Sequence, residues 1–212
     1  PFRHQILGAR WLIKKKGAIL ADDMGLGKTI TALLAARALA RSLDLSIHVI
    51  APSSLHLHWE REAEALRVNI HLLSWSCIQD SLISHQNLLI VDEAHFAKSF
   101  SAKRTKSFLR FARNPKIRFV WMLTGTPSKN GRPNELFPLL SAIDHPIARD
   151  LKSFQAKFSD DYFSARDNLL AFKTSIRPFI LYRSKDKILN LYPKSRIHHN
   201  VILPDKEMIG FN

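Results

Sequence analysis

Short runs of consecutive apolar residues recur along the chain: Ala18-Ile19-Leu20-Ala21, Ser46 to Ala51, Asn69 to Leu73, Asn87 to Val91 and Arg118 to Leu123. Each is bounded by turn-forming or charged residues and is too short for an ordinary helix, so each reads as a buried strand. Helical periodicity occupies the intervals. Residues 2 to 16 place Ile6, Leu7, Ala9, Trp11, Leu12 and Ile13 at amphipathic spacing, and Ile30 to Ala40 is rich in Ala and Leu. Pro52 ends the second strand, and Ser53 or Ser54 is expected to cap a helix carrying Leu55, Leu57, Trp59 and Leu66. Ser101 to Arg113 predicts a basic helix with Lys103, Arg104, Lys106, Arg110 and Arg113. Strands alternating with helices imply right-handed β-α-β units and a parallel sheet covered on both faces.

Beyond Pro133 the pattern changes. Residues 134 to about 175 read as mainly helical, with Pro138 and Pro146 as breaks and the aromatics Phe137, Phe154, Phe158, Tyr162 and Phe163. Arg177 to Arg183 and Arg196 to Leu203 read as extended, separated by Leu191-Tyr192-Pro193-Lys194. The expected division is an α/β core over 1–131, a helical annex of the same lobe over 132–176, and a return segment over 177–212.

The first apolar run leads directly into candidate chemistry. Ala21-Asp22-Asp23-Met24-Gly25-Leu26-Gly27-Lys28-Thr29 joins a strand to a helix through a Gly-rich turn, the architecture of a phosphate-binding loop. Gly25 and Gly27 allow the backbone to curl so that successive N–H groups point at an anion, and the new helix adds the positive end of its dipole. Lys28 offers a charge to the β- and γ-phosphates, and the Thr29 hydroxyl can ligate Mg2+. One position departs from the common pattern: Asp22 stands where glycine is usual.

Asp92-Glu93-Ala94-His95 ends the strand Asn87 to Val91, and Thr124-Gly125-Thr126-Pro127 ends the strand Arg118 to Leu123. Open α/β sheets place ligands at the carboxyl ends of their strands. Phosphoryl chemistry there divides the labour: a loop holds the phosphates, Asp92 orients Mg2+, and Glu93 is placed to act as general base for the attacking water.

Composition changes the picture in one respect. The chain of 212 residues carries 32 Lys and Arg against 18 Asp and Glu, a formal net charge of +14. That excess argues against a purely small-metabolite enzyme and for a polyanionic partner, most simply nucleic acid. Cys77 is the one cysteine, so no internal disulfide can form, and a reducing intracellular compartment is expected. No apolar run is long enough for a membrane span. With neither an initiator Met nor a recognisable natural end, the chain reads as part of a longer protein. Ten histidines occur, but no Cys/His set has zinc-site spacing.

These motifs resemble those of the helicase-like ATPases of superfamily two, and within it the SWI/SNF-type DNA translocases. Asp22 to Thr29 resembles that family's motif I, which itself carries Asp at the departing position. Arg3-His4-Gln5 resembles its adenine-sensing glutamine segment, Ala51 to Leu55 with Trp59 its motif Ia, and Ser74-Trp75 its motif Ib. Asp92 to His95 and Leu123 to Pro127 are similar to motifs II and III, and Lys129-Asn130 and Glu135-Leu136 to the residues that follow. Ile180 to Lys185 and Leu191 to Lys194 are similar to the segment leaving the first lobe, although the family often has two arginines where Tyr182-Arg183 stands here. The wording of motif I and Arg132-Pro133 look most like the annealing-helicase branch and its bacterial and phage relatives.

The resemblance implies a three-layer RecA-like P-loop NTPase lobe with a central, mostly parallel sheet and a small helical insertion. It implies ATP and Mg2+ as cofactors. The nucleotide-binding set is Gln5, Met24, Gly25, Leu26, Gly27, Lys28 and Thr29, and Mg2+ falls to Thr29 and Asp92. Lys28, Asp92 and Glu93 are the catalytic set, and Thr124, Gly125 and Thr126 couple the nucleotide to motion. Duplex or forked DNA is the implied partner, contacted by Ser53, Ser54, Ser74 and Lys98, with the basic 103–113 helix adding electrostatic attraction. Trp59 and Trp75 are better read as core than as base-stacking platforms. A second RecA-like lobe in the same polypeptide is expected to complete the ATP site, so the isolated chain should turn over little ATP. No feature calls for a homo-oligomer, and the compartment is the nucleus or the bacterial cytoplasm. Competing readings are an RNA helicase, disfavoured by Thr124-Gly125-Thr126-Pro127 in place of Ser-Ala-Thr, a non-catalytic nucleic-acid-binding module, and a small-molecule P-loop kinase.

Overall fold

Strand β1 (Gly17–Leu20) is the scaffold on which the loop after it is hung, and it lies inside a six-stranded sheet. The structure is a computed structural model that describes residues 1–78, 86–126, 133–158 and 166–189. The other strands are β2 (Ser46–Ala51), β3 (His71–Ser74), β4 (Asn87–Val91), β5 (Ile117–Leu123) and the short β6 (Ile180–Leu181). Their order is β3-β2-β4-β5-β1-β6, and every pairing is parallel.

Alternate side chains of each strand enter different layers. Ala18 and Leu20 of β1 join Ile47, Val49, Leu88, Ile90, Trp121 and Leu123 on one face. Helices α1 (Arg3–Ile13), α2 (Lys28–Ser42) and α3 (His56–Ala65) cover that face through Leu12, Leu33, Ala36 and Trp59. Ile19, Ile50, Leu89, Val91 and Met122 face the other layer. There they meet α4 (Lys103–Ala112) and α5 (Phe137–Ala142) through Phe108, Phe111, Leu139 and Leu140. Burial on both faces explains why the strands read as continuous apolar runs rather than alternating ones. The helices α6 (Leu151–Phe158) and α7 (Arg166–Ile176) add Phe154, Phe158, Phe172 and Ile176 to this second core.

Several local expectations are corrected. Ser53 and Ser54 do not cap α3: they form a 3-10 turn, Ser53–Leu55, and α3 begins at His56 with no side-chain cap. The third strand lies two residues later at its start than the apolar run, because His71–Ser74 is the stretch in register with His48–Ala51. Pro138 opens α5 rather than breaking a helix, as its missing N–H costs nothing in a first turn. Arg177–Phe179 form a 3-10 turn, so the extended run 177–183 contracts to the two strand residues Ile180 and Leu181. The expected extended run 196–203 and the residues Leu191 to Lys194 lie outside the described residues.

Helix α1 departs most from its periodicity. Ile6 and Leu7 are 41% and 52% exposed, while the polar His4 and Gln5 are buried beside Gly8, Ala9 and Leu12. The cause is the loop after β1, whose Leu26 carbonyl accepts hydrogen bonds from His4 Nε2 (2.9 Å) and Gln5 Nε2 (3.4 Å). Two donors that must find an acceptor when buried turn that face of α1 inward.

Candidate functional site

The carboxyl ends of β4, β5 and β1 are neighbours in the sheet, with Val91 beside Met122 and Leu123 beside Leu20. The loops that follow these three strands carry Asp92-Glu93, Thr124-Gly125-Thr126 and Asp22 to Lys28, so the parallel order gathers the sequence-predicted groups at one edge.

The loop after β1 has the backbone that an anion cradle needs. Gly25 and Gly27 have φ of 84° and 72°, the left-handed region. Gly27 precedes α2, where its carbonyl accepts from both the backbone N–H and the hydroxyl of Thr31 at 3.0 Å. The positive φ favours glycine at Gly27, and a methyl group there would sit 2.3 Å from Gln5 Nε2, so the Gln5 carboxamide would have to move. Leu26 is buried and anchors the loop, whereas Met24 is 76% exposed. Lys28 Nζ donates to the carbonyls of Asp22 (2.8 Å) and Asp23 (3.4 Å), and a methyl on Gly125 would lie 3.7 Å from the same ammonium. Thr29 opens α2 next to Lys28 and is half-buried.

Asp22, in the unusual position of motif I, is fully buried and bidentately paired with the Arg183 guanidinium. The same guanidinium donates to the His4 carbonyl. Asp23 receives the Lys185 backbone N–H on its carboxylate at 2.8 Å. The dipeptide therefore serves two directions, its carbonyls holding Lys28 and its carboxylates holding the segment after β6. Sequence reasoning missed this clamp. The available signal was the acid itself, because a carboxylate inside an apolar strand–loop junction must find a cation.

Asp92 is held from three sides. Trp59 Nε1 donates to Oδ2 at 2.8 Å, the Glu93 backbone N–H donates to Oδ1 at 2.8 Å, and Trp75 Nε1 donates to the Asp92 carbonyl at 3.1 Å. Both tryptophans are core residues, as expected; the Trp59 indole N–H also orients this carboxylate, and that of Trp75 holds the Asp92 main chain. Each carboxylate oxygen keeps a lone pair, so Asp92 can still accept from a hydrated cation. Glu93 adopts φ 48° and ψ 47°, an uncommon backbone for a non-glycine residue. Its side chain is about one-third exposed, and Oε2 lies 2.9 Å from His95 Nδ1.

Thr124 is buried, its N–H bonded to the Leu20 carbonyl at 3.1 Å and its hydroxyl accepting from Thr126 N–H at 3.2 Å. It thus ties the third loop to the end of β1. Gln5 lies beneath Gly27, but its carboxamide is engaged: Oε1 accepts from Phe2 N–H at 2.9 Å. Ser53 and Ser54 are exposed after β2, and Ser74 ends the adjacent β3 with its hydroxyl 3.0 Å from that of Ser76. Lys98 is mostly buried and lies 3.4 Å from Glu135 Oε2. The cations of α4 are on its exposed side, and Arg104 is bonded to the Phe96 carbonyl at 2.9 Å.

The family model for an SNF2-related domain matches residues 4–81 and 78–212. An uncharacterized ATP-dependent helicase of Mycoplasma pneumoniae is 30% identical over 90% of this chain and 21% of its own length. The SWI/SNF-related matrix-associated actin-dependent regulator of chromatin subfamily A-like protein 1 of Xenopus laevis is 26% identical over 97% of this chain and 24% of its own. The chain thus spans about a fifth to a quarter of these curated relatives. Among solved structures, the Sulfolobus solfataricus SWI2/SNF2 ATPase core in complex with dsDNA has a similar fold, with a TM-score of 0.74 at 23% identity over 86% of this chain and 44% of that one.

Proposed function

The chain belongs to the SNF2-related domain family, and from that premise we propose that it is the first lobe of a DNA-dependent ATPase that couples ATP hydrolysis to movement on duplex DNA. The observation that carries the reading is the convergence of the Lys28 loop, Asp92-Glu93 and Thr124-Gly125-Thr126 on three neighbouring strand ends.

The residues fit a magnesium nucleotide. The left-handed glycines aim backbone N–H groups at phosphate, and the start of α2 adds its dipole. Lys28 leaves two carbonyl oxygens to meet β- and γ-phosphate oxygens, an exchange of neutral acceptors for charged ones. Thr29 and Asp92 supply the hard oxygen donors that Mg2+ prefers, and the bound ion would offset phosphate charge. Asp92, fixed by Trp59 and Glu93 N–H, holds that position without reorganising. Glu93 takes the proton from the attacking water. Gln5 senses the base edge once its carboxamide is released from Phe2 N–H.

DNA is placed along the ends of β2 and β3, where Ser53, Ser54 and Ser74 can donate to backbone phosphates without reading sequence. The exposed cations of α4 add long-range attraction, and Lys98 contributes if Glu135 releases it. The core lobe is assigned to 1–131, the helical annex to 132–176 and the return segment to 177–212. A second lobe in the same polypeptide completes the site, consistent with the greater length of the relatives. A DNA partner places the protein inside the cell, and no helix among the described residues is long and apolar enough to cross a membrane.

The test is ATP turnover by the full polypeptide with no nucleic acid, single-stranded DNA, duplex DNA or duplex RNA. Stimulation by duplex DNA is expected, abolished in Lys28→Ala. Glu93→Gln should retain ATP binding while hydrolysing about 100- to 10,000-fold more slowly. Stimulation by RNA alone would replace the translocase reading with an RNA helicase. Turnover under no condition would leave a binding module.

A further inference from the structure

The segment after β6 is laced to the phosphate loop along its length. Strand β6 pairs with β1 (Ile19 beside Ile180, Leu20 beside Leu181), and the two chains stay bonded beyond the sheet. Ala21 N–H donates to the Leu181 carbonyl at 2.7 Å, and Asp23 N–H donates to the Arg183 carbonyl at 3.0 Å. Lys185 N–H returns a bond to the Asp23 carboxylate at 2.8 Å. Arg183 closes the arrangement on the buried Asp22.

The consequence falls on Lys185. Its ammonium is held over the loop, 3.5 Å from where a methyl group on Gly25 would lie. Among the described residues it has neither a hydrogen bond nor an ion pair, and the one bond that the Asp23 carboxylate takes from this residue comes from the Lys185 backbone N–H. Lys28, in contrast, rests on the Asp22 and Asp23 carbonyls. An ammonium without an anion, placed beside the glycine of an anion cradle, is poised for a ligand of high negative charge.

We propose that Lys185 is a second phosphate-binding lysine of the nucleotide site, contacting the polyphosphate of a nucleoside triphosphate alongside Lys28. The inference rests on the nucleotide-site reading above. Arg183 and Asp22 are positioning residues, because they fix the segment that carries Lys185. The loop lysine comes from α2, whereas Lys185 opens the short helix Lys185–Ile188 after β6, so the return segment takes part in sensing whether phosphate is bound.

The experiment compares wild type, Lys185→Ala and Lys185→Arg in the full polypeptide. Steady-state ATP hydrolysis supplies KM and kcat, and titration with AMP reports affinity for a ligand lacking the β- and γ-phosphates. Lys185→Ala should raise KM for MgATP about tenfold, the loss of one charge-assisted hydrogen bond. It should change kcat less and leave AMP affinity and the thermal midpoint as in wild type, and Lys185→Arg should recover most of the loss. An unchanged KM in Lys185→Ala would overturn the proposal, as would an equal loss of ATP and AMP affinity, which marks a general distortion. Absence of ATP binding in the wild type, or unaltered turnover in Lys28→Ala, would overturn the nucleotide-site reading itself and this inference with it.

Discussion

The indole of Trp59 donates a 2.8 Å hydrogen bond to Asp92 Oδ2 from inside the hydrophobic layer beneath α3. A core residue thereby sets the orientation of the carboxylate assigned to Mg2+. Trp59→Phe keeps a ring in the layer but removes the donor. It should cost about 2 kcal/mol of stability, the worth of a hydrogen bond to a charged group. It should also raise the Mg2+ concentration needed for half-maximal turnover. Urea unfolding and a Mg2+ titration of ATPase activity separate the two effects. A Mg2+ requirement equal to that of wild type would show that Asp92 keeps its place without the indole.

Gly27→Ala meets two obstacles at once, a φ of 72° and the Gln5 carboxamide 2.3 Å from the new methyl. Left-handed backbone alone costs about 1–2 kcal/mol for alanine. The variant should lose ATP affinity, and the loss should be smaller when Gly27→Ala is made in a Gln5→Ala background, which removes the clash but not the backbone strain. Equal ATP affinity in Gln5→Ala and Gln5→Ala/Gly27→Ala would assign the whole requirement to space.

The Asp22–Arg183 pair lies in a fully buried setting on the acid's side. Arg183→Met leaves a carboxylate buried and unpaired, so it should destabilise by about 3–5 kcal/mol. The double variant Asp22→Asn/Arg183→Met removes the charge as well and should recover part of that loss. Denaturant midpoints of the two single variants and the double variant measure the coupling, and strict additivity would contradict it.

Burial holds the pKa of His48 below the ordinary histidine value, with the Asn87 bond opposing the shift and His71 adding to it. His145 is lowered by burial as well, opposed by its bond to the Ser175 carbonyl. Both rings are neutral by geometry. His48 Nε2 faces Asn87 Oδ1 at 3.0 Å while Nδ1 is buried without a partner, and His145 Nδ1 accepts from Ile147 N–H at 3.3 Å. The unfolded chain binds protons at these sites before the folded one does. Their contribution to stability is therefore complete above the unfolded value of about 6.5 and is lost as pH falls below it. The thermal midpoint should drop between pH 7 and pH 5, and less steeply in His48→Gln. Parallel profiles for the two proteins would remove His48 as a cause.

Much of this site can be read directly from the chain because its parts are local. A buried strand must be a run of apolar residues, and a phosphate cradle must have glycines just before a helix. Asp92-Glu93 and Thr124 follow such runs immediately, and Lys28 follows one through the Gly-rich loop. Parallel pairing then brings them to one edge whatever the side chains between them. Contiguity and period therefore determined the sheet, the candidate site residues and the family resemblance. The contacts that hold these groups in place have no such period. Arg183 meets Asp22 across 161 positions and Trp59 meets Asp92 across 33. His4 and Gln5 turn inward against the amphipathic pattern of α1 because a loop carbonyl there needs donors. Only the tertiary structure decides such pairings, since a buried charge or polar group is satisfied by whichever partner the packed layers bring within reach.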